Sequence, residues 1–182
     1  MTILSHLKTD KFMNNLSIRR SSFDDIPQLQ KIFAYARHFM AETGNSQQWI
    51  ASYPSDELLQ MDIEKGNSYV VEQENEVVAT FVLSGEKDPT YDVIYEGAWK
   101  NDLPYGTIHR IASNGKVKGI MHLAMQFALE QYETIRIDTH RDNLVMQNAI
   151  YKENFEYCGI IHCWNGSERL AFQYTAKKST DK

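Results

Sequence analysis

A chain of 182 residues and 21.1 kDa has the length of one domain and buries a sizeable core. With 42% hydrophobic and 24% charged residues, it is neither disordered nor, lacking any run near the ~18 apolar residues of a span, membrane-inserted. Nineteen basic against 24 acidic residues, a net charge of −5, exclude a general binder of nucleic acid or of anionic membrane. Two cysteines, Cys158 and Cys163, offer no zinc spacing and no disulfide framework. The N-terminal residues lack a long apolar stretch and a small-residue cleavage site. Together these read as a reduced, cytoplasmic protein.

Residues 1–15 are polar and weakly patterned and read as an N-terminal extension. Leu16 to Arg20 alternates as a strand. Asp24 or Asp25 caps a helix with Pro27 in its first turn, carrying Ile26, Leu29, Ile32, Phe33, Ala36 and Met40, and Gly44 stops it. A second helix covers about 55–65. The period then falls to two. Ser68–Glu72 and Val77–Leu83 are strands around a turn at Glu74-Asn75, 84–103 is loop or short helix, and Thr107–Ser113 is a strand. Lys118–Gln131 is a helix, Thr134–Thr139 a strand, and Asn143 caps a helix to Glu153, with Asn154 in the left-handed position that Asn tolerates. Phe155–Cys163 and Glu168–Tyr174 form a hairpin at Asn165-Gly166, and the tail 177–182 is polar. The order predicts a single mixed α/β (α+β) domain over 16–176.

The stretch Ile108-His-Arg-Ile-Ala-Ser-Asn-Gly-Lys-Val-Lys-Gly-Ile-Met121 runs strand, short turn, helix. Residues 103–129 hold no Asp or Glu but do hold Arg110, Lys116 and Lys118. Free amides, a positive helix end and lysines gathered in an acid-free turn suit a phosphate. A solvated turn before an amphipathic helix would look the same. Neither G-x-x-x-x-G-K-[ST] nor G-x-G-x-x-G is present.

Lys116-Val-Lys-Gly119-Ile-Met121 resembles the acyl-CoA-binding motif of the GNAT superfamily of N-acetyltransferases, Arg/Gln-x-x-Gly-x-Gly/Ala after the fourth strand. Gly119 takes the central glycine, Lys116 the cation and Met121 the final small residue. Asn143, followed by Ala149, Tyr151, Lys152, Asn154 and Phe155, is similar to the family's later motif. The resemblance covers about 16–175. It implies a twisted, mostly antiparallel sheet with a V-shaped splay between its fourth and fifth strands, flanked by about four helices. It implies acetyl-CoA as acyl donor, no metal, and direct transfer to a primary amine of a small molecule or peptide. The donor would lie along Ile111, Ala112 and Ser113, with its pyrophosphate on Lys116, Val117, Lys118, Gly119, Ile120 and Met121, and with Asn143 nearby.

Tyr151 matches the family tyrosine that protonates the departing thiolate; a core-facing aromatic on the last helix is the other reading. His109 is the candidate base, since an imidazole titrating near neutrality suits an ammonium substrate; a half-buried structural histidine is the other reading. Alternation places Thr107, His109, Ile111 and Ser113 on one face. Asp138 and His140 share a strand end, where a structural role outweighs a metal. The acceptor pocket is expected from Tyr35, Trp49 and Tyr53 and from Tyr91, Tyr95, Glu96, Trp99, Asp102 and Tyr105, as aromatic and carboxylate groups suited to an amine. A non-catalytic acyl-CoA-binding regulatory module on the same fold is the alternative, and a ribosomal-protein or antibiotic acetyltransferase would differ only in acceptor. A homodimer is left open.

Overall fold

The computed structural model describes residues 15–50 and 52–176; the extension 1–15, apart from Asn15, and the tail 177–182 lie outside the described residues. Seven strands form one sheet in the order β1-β2-β3-β4-β5-β7-β6. They are β1 Leu16–Arg20, β2 Ser68–Gln73, β3 Glu76–Ser84, β4 Tyr105–Ser113, β5 Thr134–Thr139, β6 Glu156–His162 and β7 Glu168–Thr175. All pairings are antiparallel except β4 with β5. Four helices flank the sheet: α1 Ile26–Glu42, α2 Asp56–Glu64, α3 Ile120–Leu129 and α4 Leu144–Lys152. Among the described residues no helix is long and apolar enough to cross a membrane.

The local chemistry explains most element boundaries. Asp25 and Ser22 close a capping box before α1, and Arg19 grips the Asp25 carboxylate at 2.8 Å, so the first strand is tied to the first helix. Ser55 caps α2 by accepting from the Leu58 amide, and Asn143 caps α4 by accepting from the Met146 amide. Glu74 and Asn75 both take positive φ, 52° and 66°, as a tight hairpin with right-handed twist requires. Asn154 ends α4 at φ 61°.

Two elements differ from the sequence reading. α3 starts at Ile120 rather than Lys118, because Gly119 sits at φ 81° and is the left-handed residue before the helix, not part of it. The β6–β7 connection is wider than a two-residue turn. Gly166 N–H donates to the Cys163 carbonyl and Cys163 N–H to that of Ser167, while the Asn165 side chain accepts from Ser167.

The core has two sides. Phe81, Leu83, Ile108, Ile135, Ile137 and Phe172 pack against α3 and α4. Val70, Val77 and Ala112 pack against Leu29, Ile32 and Phe33 of α1 and Leu59 of α2. Both faces of the sheet are thus buried along its middle strands.

That gap is the feature that matters. β4 pairs with β5 only at Tyr105, Gly106 and Thr107, opposite Thr134, Ile135 and Arg136. From Ile108 to Ser113 the β5-facing edge of β4 has no strand partner, and the sheet splays there.

Candidate active site

β4 carries a bulge within the splayed segment. His109 pairs with Val82 and Ala112 with Thr80, so Arg110 and Ile111 together face the single residue Phe81. Arg110 takes φ 50°, a conformation that costs a non-glycine residue of order 1–3 kcal/mol and that its surroundings must hold. The Asp62 carboxylate, from α2, does so by accepting from Arg110 Nη2 at 2.7 Å.

The bulge corrects the strict alternation expected along this strand. Thr107, His109 and Ala112 share the α1/α2 side through their partners Ser84, Val82 and Thr80. Ile108 and Ile111 pack on the α3/α4 side, with Ser113, opposite Ala79, on that side too. His109 is thereby separated in direction from Ile111 and Ser113.

The splay opens into a cleft of about 810 Å³. On one side it is lined by Ile111, Ala112, Ser113, Gly115, Val117, Gly119, Ile120, Met121 and Asn143. In the turn, the Gly115 amide donates to Ser113 Oγ and the Lys116 amide to Asn114 Oδ1. The amides of Val117 through Met121 have no acceptor among the described residues. Free consecutive amides at the start of a ten-residue helix form an anion cradle. Gly115, at φ 79°, sits against the hydroxyl end of Tyr35, where a Cβ would clash. Met121, where the family has a small residue, turns its side chain into the core and is 7% exposed.

The lysines behave differently from each other. Lys116 reaches outward to Glu76, 2.6 Å from its carboxylate, and neither Lys116 nor Lys118 lines the cleft. Lys118 is exposed at the turn with no acid partner among the described residues.

On the other side of the cleft His109 Nε2 stands 3.4 Å from Asp88. Burial opposes ionisation of Asp88, but hydrogen bonds with His109 and with the Thr90 hydroxyl and amide outweigh it and hold the carboxyl at about 2. A carboxylate fixed as an anion beside Nε2 favours the proton on that nitrogen and leaves Nδ1 with the free lone pair. Burial pushes the Asp62 carboxyl above its ordinary range, against the opposing pull of Arg110 and of His109. Arg110 Nη1 is 3.5 Å from the Tyr53 hydroxyl. Burial, and then Asp138, push the Cys163 thiol up, so this cleft cysteine is not a ready thiolate.

Gln48, in the loop after α1, closes the end of the splay. Its Oε1 accepts from Asn143 Nδ2 and Asn45 Nδ2, both at 2.9 Å, and lies 3.4 Å from the Thr139 hydroxyl and the His140 amide. Asn143 therefore serves twice, capping α4 with its oxygen and meeting Gln48 with its nitrogen.

Several expected site residues lie elsewhere. Tyr151 is 53% exposed and packs edge-on against Phe172, 5.4 Å between centroids. Val145, Met146 and Ala149 are the α4 side chains that line the cleft, and Tyr151 does not. The helical phase explains this: two residues beyond Ala149 is about 200° round the helix. The candidate acid and His109 are thus not brought together. Tyr35, Trp49 and Tyr53 do line the cleft, but Tyr91, Tyr95, Glu96, Trp99, Asp102 and Tyr105 do not. Trp99 and Tyr105 instead sandwich the Arg136 guanidinium, 4.0 Å from each ring, and Tyr91 stacks on Trp99. The cation these aromatics suit is the protein's own. Asp138 accepts from the Tyr91 hydroxyl at 2.6 Å, whereas His140 Nδ1 accepts from the Asp142 amide. The two share no partner. Burial, with Arg169 nearby, lowers the affinity of His140 for a proton.

Asp88, Asp62 and Gln48 were not singled out from the sequence. Asp88-Pro89 carries a readable signal as the cap of the short 3-10 turn Pro89–Tyr91. Its approach to His109 depends on how the loop before β4 folds back, which no local pattern encodes.

The same fold is found in solved structures. A GNAT-family acetyltransferase from Streptococcus agalactiae is 31% identical, with 91% of this chain and 98% of that one covered and a TM-score of 0.80. This chain belongs to the GNAT family of acetyltransferases. A Salmonella typhimurium protein solved with its cofactor acetyl-CoA is 10% identical over 92% of this chain and 98% of its own, with a TM-score of 0.57. A ribosomal-protein-alanine N-acetyltransferase from Brucella melitensis is 15% identical over 87% and 99%, with a TM-score of 0.55; both share the fold. No protein-family model and no curated protein matches the chain. As in GNAT proteins, the sheet is mostly antiparallel with its one parallel pair at the splay.

Proposed function

We propose that this GNAT protein is an acetyl-CoA-dependent N-acetyltransferase that transfers acetyl directly to a primary amine. The observation that carries this reading is that one cleft is lined both by Val117, Gly119, Ile120 and Met121, whose amides are free, and by the His109–Asp88 pair. The Salmonella relative's acetyl-CoA supports the donor. Family membership over nearly the whole described chain supports 16–176 as a single acetyltransferase domain.

Acetyl-CoA enters with its pyrophosphate on the Val117–Met121 amides and Lys118 at the rim. Lys116 takes no part, since its ammonium is held by Glu76 and its amide by Asn114 Oδ1. The amide-rich pantetheine chain lies along the unpaired edge of β4 at Ile111 to Ser113, as an added strand would. The neutral amine attacks the thioester carbonyl carbon. A C–N bond forms, the C–S bond breaks, and the amine's proton passes to Nδ1 of His109. Asp88 stabilises the imidazolium that results. With Tyr151 outside the cleft, water at the open mouth protonates the departing thiolate. The regulatory-module alternative loses ground because a base with an oriented carboxylate has no use in mere binding.

The test is acetyl-CoA turnover across primary amines, following free thiol and the N-acetyl product by mass spectrometry. Product with stoichiometric thiol supports the reading. Binding of acetyl-CoA without product for any amine would leave the regulatory module.

A further inference from the structure

We infer that the acceptor is a monoamine with an uncharged, apolar body; this rests on the acetyltransferase reading above and names its acceptor class. Two independent features of the cleft carry it.

The first is charge. Every acidic side chain that lines the cleft already has a protein partner within 3.9 Å. Asp62 is paired with Arg110, Glu86 with Lys65 and Asp138 with Arg169, while Asp88 is held by His109 Nε2, whose charge it balances once the imidazole takes the amine's proton. A second ammonium on the acceptor would find no carboxylate without a partner, and an acceptor carboxylate would have to take Lys65 or Lys87 from Glu86 or Asp92 at the rim, or Arg110 or Arg169 from its buried partner. Breaking such a buried pair is costly because it strands a desolvated charge. The amine that reacts is itself neutral at the moment of attack, so it adds no charge to be matched.

The second is the mouth. Phe39 from α1, Ile50 after it, Met61 from α2 and Trp164 from the β6–β7 turn line the cleft, yet they are 40%, 60%, 46% and 80% exposed. Scattered apolar residues on a surface need no explanation. Four that converge on one polar-floored cleft do, and such an apolar wall with few fixed polar groups is the ordinary form of a small-molecule site. An apolar body would lie on these side chains while its amine reached His109.

The experiment compares kcat/KM for phenethylamine, ethylamine, putrescine and β-alanine, with a neutral peptide bearing a free apolar N-terminus as a fifth acceptor. Burying a phenyl ring at about 1.5–3 kcal/mol places phenethylamine roughly 10- to 150-fold above ethylamine, and above the other three. Trp164→Ala and Met61→Ala shrink the phenethylamine-to-ethylamine ratio toward unity, chiefly through the KM of phenethylamine. Both side chains are exposed enough for truncation to leave the fold intact. Putrescine, β-alanine or the peptide matching or exceeding phenethylamine overturns the inference while leaving acetyl transfer standing. A phenethylamine advantage that survives both substitutions also overturns it. If acetyl-CoA binds and no amine is acetylated, the acetyltransferase reading falls, and the acceptor class with it.

Discussion

Asp62 Oδ1 and Arg110 Nη2, 2.7 Å apart, join α2 to the bulge of β4. The pair holds a positive-φ arginine in the middle of the splayed strand and so sets which way His109 and Ile111 face. Removing one member leaves the other charged and buried. Asp62→Ala should therefore destabilise the protein by about 3–5 kcal/mol, with Arg110→Ala similar. Chemical denaturation measures it. A loss under about 1 kcal/mol would mean the bulge is held by other contacts.

Asp88 should act through His109. Asp88→Asn removes the anion that orients the imidazole and stabilises its charged form, and kcat should fall by about 10- to 100-fold with acetyl-CoA binding retained. Equal losses in KM for acetyl-CoA and in kcat would point to a collapsed loop instead.

Asp88 also leaves a mark on stability. Its folded carboxyl titrates at about 2, below the ordinary 3.8. A depressed acid contributes stability that is fully present above the unfolded value and is lost as pH falls through the folded one. The wild type should thus lose stability between about pH 4 and 2, and Asp88→Asn should lose less over that window. Parallel unfolding curves against pH for the two proteins would show that the carboxylate is not held as described.

Gly119 tests the anion cradle. It sits at φ 81° beside the free amides, so Gly119→Glu adds a strained residue and a negative charge at the site proposed for the pyrophosphate. The thermal shift that CoA gives the wild type should vanish in this variant. An undiminished shift would move the phosphate site elsewhere.

Tyr151→Phe separates the sequence expectation from the structure. Position in the motif makes Tyr151 the acid and implies a rate loss of about 100-fold. An exposed ring packed on Phe172, outside the cleft, implies kcat within about twofold of wild type. A large loss would bring the phenol back into the reaction.

The contrast shows where sequence reading stops. Period-two and helical patterns placed the elements, and capping residues such as Ser55 and Asn143 marked their ends, because these are nearest-neighbour effects. The turn from Asn114 to Gly119 was legible for the same reason. His109 was found by its strand, but the direction of its neighbours was not, since one bulged residue reverses the faces of everything after it. Its partner Asp88, the Gln48 closure of the splay and the Arg136 sandwich with Trp99 and Tyr105 are long-range contacts between residues that look unremarkable locally. Trp99 and Tyr105 have the composition of a cation site, and the cation they hold is the protein's own Arg136.

In the proposed transfer from acetyl-CoA, His109 takes the proton of the attacking amine. The direct measurement is the pH–rate profile of N-acetyl product formation by wild type and His109→Gln at saturating acetyl-CoA. His109→Gln should be slowed by about 100-fold or more near neutral pH and should regain rate as pH rises, because a growing fraction of the amine is then already deprotonated. A His109→Gln enzyme as fast as wild type at neutral pH would show that His109 is not the base.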